Sequence, residues 1–299
     1  MELEEFLQLP ATEVAALVKE RGPKVCVFPI NGTRRWFTLE HGQQEWEDPL
    51  AAYMDLASQN HIGLYRLFFD HGITTLLTPA FGPDLLLRSD EYVRRVGAQG
   101  LARLATGSEF LSFYDEYDVR VHFYGDHRRA LAETSFARLS DLFDAATERT
   151  RAHERFRLFF GIFANDATQT VVKYSIQYFQ QHGHVPNKRE LIEMYYGEYV
   201  APVDLFIGFD RFSAFDMPLV ATGEEDLYFT VSPSPYMDQD QLRRILYDHL
   251  FTRRALEPDY TDLSGDELQA LRKFYVKHRG YTLGTGKLLH RIWVPDIQE

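Results

Sequence analysis

Six short, apolar, β-rich runs set wide apart constrain this chain more than any other feature: residues 25–30, 74–78, 119–124, 158–163, 203–209 and 227–231. A strand with one wet face would alternate apolar and polar residues; apart from Val119-Arg120-Val121-His122 these runs do not, so a sheet covered on both faces is expected. The segments between them carry helical periodicity and are long enough to hold crossover helices. Short buried strands joined by helical crossovers specify an α/β fold: a six-stranded parallel sheet flanked by helices. With 299 residues, 45% of them hydrophobic, the chain has material for one sizeable core. A single domain over residues 1–254 is expected, with a helical extension over 255–299 packed on it. Ser264-Gly265-Asp266-Glu267 reads as an N-cap with an acidic first turn and predicts a helix over 264–279. The GYTLGTGKLLH that follows reads as irregular.

In open parallel sheets ligands gather outside the carboxyl ends of the strands, where loops run into helix N-termini. Four loops fall there: Asn31-Gly32-Thr33-Arg34-Arg35-Trp36, Gly125-Asp126-His127-Arg128-Arg129, Asn165-Asp166 and Asp210-Arg211-Phe212-Ser213. The first carries the strongest chemistry. Gly32 lets backbone amides approach a phosphate, the turn aims a positive helix end outward, and Arg34 and Arg35 add charge, so the loop reads as a diphosphate cradle. Taken alone, the same residues also fit a surface turn with two solvated arginines.

Other classes fit poorly. A formal charge of −12 opposes nucleic acid as the main partner, because phosphate backbones are bound by clustered Lys and Arg. No run approaches the roughly 20 apolar residues a membrane span needs, and MELEEFLQLP lacks the layout of a secretory signal, so a cytoplasmic protein without stable membrane insertion is expected. The single cysteine, Cys26, fits strand packing in a reducing compartment. There is no P-loop, dinucleotide fingerprint or Asp-Asp-x-x-Asp motif, and His182-Gly183-His184 has no further ligand at zinc spacing.

Residues 22–36, GPKVCVFPINGTRRW, resemble the signature of cis-prenyltransferases, in which a strand leads into Asp-Gly-Asn-x-Arg-Trp. Further landmarks follow in the family's order: Gly125-Asp126, Asn165, Pro202-Val203-Asp204-Leu205, Arg211-Phe212-Ser213-Ala214-Phe215 and Tyr228-Phe229-Thr230. GPKVCVFPINGTRRWF, YYGEYV, FIGFDRFSAFDMPLV and ILYDHLFTRR are most similar to a small terpene-synthase branch acting on bicyclic diterpenyl diphosphates of the kolavenyl and tuberculosinyl class. The resemblance implies a diterpene synthase that ionises such a substrate and quenches the allylic cation with water to give a diterpene alcohol. Transfer of the cation to adenosine or another nucleophile, and a non-catalytic partner subunit, stand as alternatives.

It also implies site residues: Asn31, Arg34, Arg35, Tyr53 and Tyr92 as catalytic, and Gly32, Thr33, Arg34, Arg35, Arg211 and Ser213 around the diphosphate. Asp226 falls near the family's second metal carboxylate and is expected to hold Mg²⁺; a homodimer is expected as well. Chain-elongating relatives carry an Arg and a Gly-Gly-Glu stretch where Ile207-Gly208-Phe209 stands here, which implies that elongation is lost. Asn31 occupies the position of the family's Asp, and a neutral amide neither attracts Mg²⁺ as a carboxylate does nor acts as a base. Three readings stay open: arginine-driven ionisation, a metal held by Asp226 alone, or an inactivating Asp→Asn change.

Overall fold

In the computed structural model, which describes residues 1–83, 93–132, 134, 136–256 and 258–297, the six runs pair into one parallel sheet. The strands are β1 (Val25–Val27), β2 (Thr75–Phe81), β3 (Val119–Tyr124), β4 (Phe156–Ile162), β5 (Leu205–Phe209) and β6 (Asp226–Thr230), in the order β3-β4-β2-β1-β5-β6. β1 is shorter than its apolar run. Phe28 still donates to Leu77 O, but Pro29 has no N–H to continue the ladder.

Twelve α-helices lie among the described residues: α1 (Leu3–Leu7), α2 (Ala11–Arg21), α3 (Thr33–His41), α4 (Pro49–Asp70), α5 (Gln99–Thr106), α6 (Ser108–Tyr117), α7 (His127–Leu131), α8 (Leu139–Arg149), α9 (Thr168–His182), α10 (Lys188–Tyr196), α11 (Gln239–Tyr247) and α12 (Gly265–His278). Neighbouring strand residues feed opposite faces. Leu76, Phe160 and Ile207 pack with Phe68 of α4, Phe113 of α6 and Phe143 of α8. Leu77, Phe159 and Phe206 pack with Ile192, Tyr195 and Tyr196 of α10. Every residue of β1 and β5 is buried, as a doubly covered parallel sheet requires.

From β1 the chain builds outward on one side through β2 to β4, then returns to β1's other flank with β5. That reversal opens a crevice beyond the carboxyl ends of β1 and β5. The Asp204 carboxylate holds the opposite ends together, accepting from the amides of Lys24 (2.9 Å) and Val25 (3.1 Å). The Asp of Pro-Val-Asp-Leu is thus a clamp between strands.

In the extension, Ser264 and Glu267 form the reciprocal cap that opens α12, none of whose residues is buried. The segment after it is not irregular: β7 (Gly286–Leu289) and β8 (Ile292–Pro295) pair as an antiparallel hairpin. Its two-residue turn is His290-Arg291, with φ of 46° and 74°. Such turns are usually announced by Asn-Gly or Asp-Gly, so the sequence carried no turn signal.

The buried histidines give the fold an acid sensitivity. His127 is 6% exposed, its Nδ1 lies 2.9 Å from Ser140 Oγ, and burial, assisted by Arg128, pushes its pKa down to about 4. The unfolded chain takes up this proton near pH 6.5, so the stabilisation is complete above that pH and is lost as the pH falls toward 4. At pH 5 His127 alone should cost about 2 kcal/mol, and burial shifts His71 and His249 in the same direction. Urea unfolding is expected to show a lower midpoint at pH 5 than at pH 7; a His127→Gln variant should show less of this loss. Equal midpoints at the two pH values would contradict the account.

Candidate active site

The loop after β1 is built to leave its backbone open. Gly32 sits at φ 78°, and a Cβ there would lie 2.8 Å from the Phe209 ring and 2.9 Å from Pro233 Cβ. Only glycine fits both the conformation and the space. α3 starts at the next residue, so its first-turn amides have no intrahelical acceptor and its positive end faces the crevice. Ser234, fully buried, fixes the turn from β6's side: its Oγ accepts from Asn31 N (3.1 Å) and its N–H donates to Asn31 O (3.0 Å). Arg35 reaches across to Asp210 at the end of β5, Nη2 to Oδ2 3.1 Å, with its guanidinium 5.1 Å from the Phe209 ring centre.

Behind this turn lies a cavity of about 780 Å³. Asn31, Gly32, Thr33, Arg34, Arg35 and Tyr53 all border it, so six of the sequence-predicted residues meet in one place. Its apolar wall comes from Met54 and Ala57 of α4, Leu101 and Leu104 of α5, Phe110 of α6 and Phe160 of β4. One end is cationic and rich in N–H donors while the rest is hydrocarbon. Such a cavity matches an amphiphile with an anionic head and a long apolar body.

Tyr53 meets Phe37 edge-to-face at 5.3 Å and borders this space. His61, one α4 turn before Tyr65, also borders it; its Nε2 lies 3.4 Å from Thr33 Oγ1, and burial pushes its pKa down to about 4. Burial likewise pushes the Tyr65 hydroxyl well up. Both groups are neutral near pH 7.

Arg211 and Ser213 do not line the cavity. They are exposed on the loop that follows Asp210. Tyr92 lies outside the described residues. Asp226 lies away from the cradle. It pairs in register with Leu205, which pairs with Cys26, so it stands at the amino ends of the strands, whereas Asn31 lies five residues beyond Cys26, roughly 15 Å along the strand direction. Its carboxylate is also engaged, by His249 Nδ1 (2.6 Å), Arg254 (3.1 Å) and Arg253 (3.3 Å). Asp226 ties the end of α11 to β6.

Among the described residues, the cradle offers no preformed all-protein Mg²⁺ cage, so any Mg²⁺ there would be held chiefly by the diphosphate itself. Asn31 offers a neutral amide, the Asp210 carboxylate is paired with Arg35, and the described residues contain no cluster of three His, Cys, Asp or Glu side chains able to hold a metal ion.

Sequence reasoning missed three contributors. Asp210 stood in a loop under scrutiny, but a carboxylate beside a diphosphate site attracts notice only when its pairing with Arg35 is seen. Ser234 follows the Tyr-Phe-Thr block in a Ser-Pro-Ser-Pro run that reads as an ordinary turn. His61 lies within α4, and its place depends on how that helix meets α3.

No protein-family model matches the chain. It is 46% identical over 294 residues to tuberculosinyl adenosine transferase of Mycobacterium tuberculosis, covering 98% of this chain and 97% of that protein. It is 26% identical over 303 residues to (+)-kolavelool synthase of Herpetosiphon aurantiacus, covering 98% and 95% respectively. Among solved structures, its fold is similar to that of lavandulyl diphosphate synthase from Lavandula x intermedia in complex with dimethylallyl diphosphate, with a TM-score of 0.62 and 14% identity over 80% of this chain and 98% of that one. A probable undecaprenyl diphosphate synthase from Campylobacter jejuni superposes with a TM-score of 0.55 at 15% identity, over 79% of this chain and 98% of the other.

Proposed function

The chain belongs to the family of tuberculosinyl adenosine transferase, on a cis-prenyltransferase fold, and from that premise we propose that it is a diterpene synthase, ionising a bicyclic diterpenyl diphosphate and capturing the cation with water. The amphiphilic cavity carries this reading. An apolar cavity of about 150 Å³ holds benzene, roughly 25 Å³ per heavy atom, so a C20 diphosphate of about 29 heavy atoms needs roughly 700 Å³. The cavity, about 780 Å³ and open at its mouth, is of the size such a substrate needs.

Arg34, Arg35 and the first-turn amides of α3 bind the diphosphate and stabilise the charge that grows on it as the allylic C–O bond breaks. The bond's electron pair leaves with diphosphate. Apolar walls keep bulk water from the cation, and Tyr53 borders the space it occupies. Attack by one admitted water then gives a diterpene alcohol. In this reading the arginines suffice for ionisation despite the amide at position 31.

Transfer to adenosine is the second reading, favoured by the 46% identity to a protein of that name. A nucleoside would need roughly another 500 Å³ and would have to enter at the open mouth once the cavity is full. We also propose a homodimer: fifteen-residue α9 buries only Thr170 and exposes Val172, Ile176 and Phe179 on one stripe, which a second copy would cover. A single-chain mass in solution would contradict it.

Product analysis tests the function. Kolavenyl or tuberculosinyl diphosphate should be converted to alcohol by the Asn31 protein, and Asn31→Asp should change the rate by less than about tenfold, the step of 1.4 kcal/mol. Turnover confined to the Asn31→Asp form would identify Asn31 as inactivating.

A further inference from the structure

We infer that His61 is the general base of the capture step, accepting the proton of the water that attacks the cation. The inference rests on the diterpene-synthase reading and adds the group that completes it.

The chemistry requires a proton acceptor. Cleavage leaves an allylic cation; a water lone pair forms the new C–O bond, and the resulting oxonium must lose one proton to become the alcohol. The titratable groups among the described residues bordering the cavity are Arg34 and Arg35 from α3, Tyr53, His61 and Tyr65 from α4, and Arg103 from α5. Arginines stay charged and neutral tyrosines are poor bases, so neither accepts a proton at neutral pH. Asn31 has no basic atom, and no carboxylate is among those residues. Among these side chains only the imidazole meets the requirement, which leaves released diphosphate on the cradle as its one competitor for the proton.

The geometry sets its state. Thr33 Oγ1 lies 3.2 Å from Ile30 O and 3.4 Å from His61 Nε2. A hydroxyl has one proton; given to the Ile30 carbonyl, it leaves Thr33 accepting from His61 Nε2–H. Nδ1 is then the unprotonated nitrogen. Before substrate binds, burial keeps the ring neutral, so the base is free throughout the neutral range. Once diphosphate sits on the cradle, its negative charge nearby raises the basicity of Nδ1 as the proton arrives. The imidazolium then passes its proton to diphosphate or to solvent.

The test compares the full-length protein with His61→Gln and His61→Asn, both uncharged, using one diterpenyl diphosphate and measuring diphosphate release and product identity separately. Loss of a general base should lower alcohol formation roughly 100-fold. Diphosphate release should fall much less, with the cation diverted to diene hydrocarbons by losing a C–H proton to diphosphate. A role confined to packing would slow both readouts together and leave the alcohol-to-diene ratio unchanged. Alcohol formed by a folded variant at the native rate or in the native proportion overturns the assignment. No diphosphate release by the native protein would instead remove the synthase reading, and the base with it.

Discussion

Replacing Gly32 by alanine is expected to lower turnover about 10²–10³-fold while leaving a folded protein. The added methyl would lie 2.8 Å from the Phe209 ring and 2.9 Å from Pro233 Cβ, both on segments that enclose the turn. It would also hold an L-residue at φ 78°, which costs roughly 1–2 kcal/mol. Relief comes from moving the turn, and α3 begins at the next residue, so the amides and arginines that meet the diphosphate move with it. A displacement of about 1 Å in such groups costs on the order of 100-fold. Gly183 supplies the control: its φ is 77°, yet a Cβ there meets nothing within 4 Å. Gly183→Ala should therefore cost the backbone strain alone, visible in the melting temperature and absent from kcat. Equal kinetic loss in both variants would show that the effect is general destabilisation.

Removing the Arg35 guanidinium should cost 10–100-fold in kcat/KM. A hydrogen bond to a charged group contributes about 1.5–3 kcal/mol, and each 1.4 kcal/mol is a factor of ten. Arg35 is held by Asp210 at 3.1 Å and rests over Phe209, so its position is fixed before substrate arrives. Lysine keeps the charge but loses the planar fork and the stacking, so Arg35→Lys should recover only part of the loss of Arg35→Ala. Asp210→Asn removes the tether and leaves the guanidinium, and a severalfold loss is expected. Steady-state kinetics on the three variants should rank them Ala, Lys, Asn from most to least damaged. An Arg35→Ala variant with native kcat/KM would exclude this side chain from the cradle.

The strands were readable because a doubly covered parallel sheet writes itself as continuous apolar runs, and all six runs became strands. The cradle was readable for a local reason. Gly32, Thr33, Arg34 and Arg35 are adjacent in sequence, and a glycine before a helix start has a narrow range of uses. Residues brought in from elsewhere left no such trace. The Arg35–Asp210 pair spans 175 positions, Asn31–Ser234 spans 203, and His61 meets Thr33 only through the docking of α4 on α3. Asp226 shows the same limit in reverse. Its place in the Tyr-Phe-Thr block made it a metal candidate, but the sheet register puts it at the strands' amino ends beside His249, Arg253 and Arg254. The turn at His290-Arg291 escaped notice because neither residue advertises φ above zero.

This cradle and cavity are expected to ionise a diterpenyl diphosphate. The most direct measurement is diphosphate release and product identity when the purified protein meets kolavenyl or tuberculosinyl diphosphate, with and without adenosine. Stoichiometric diphosphate and a diterpene alcohol whose yield adenosine does not change are expected. A prenylated nucleoside would replace water with adenosine as the nucleophile, and no diphosphate release from either substrate would contradict the ionisation itself.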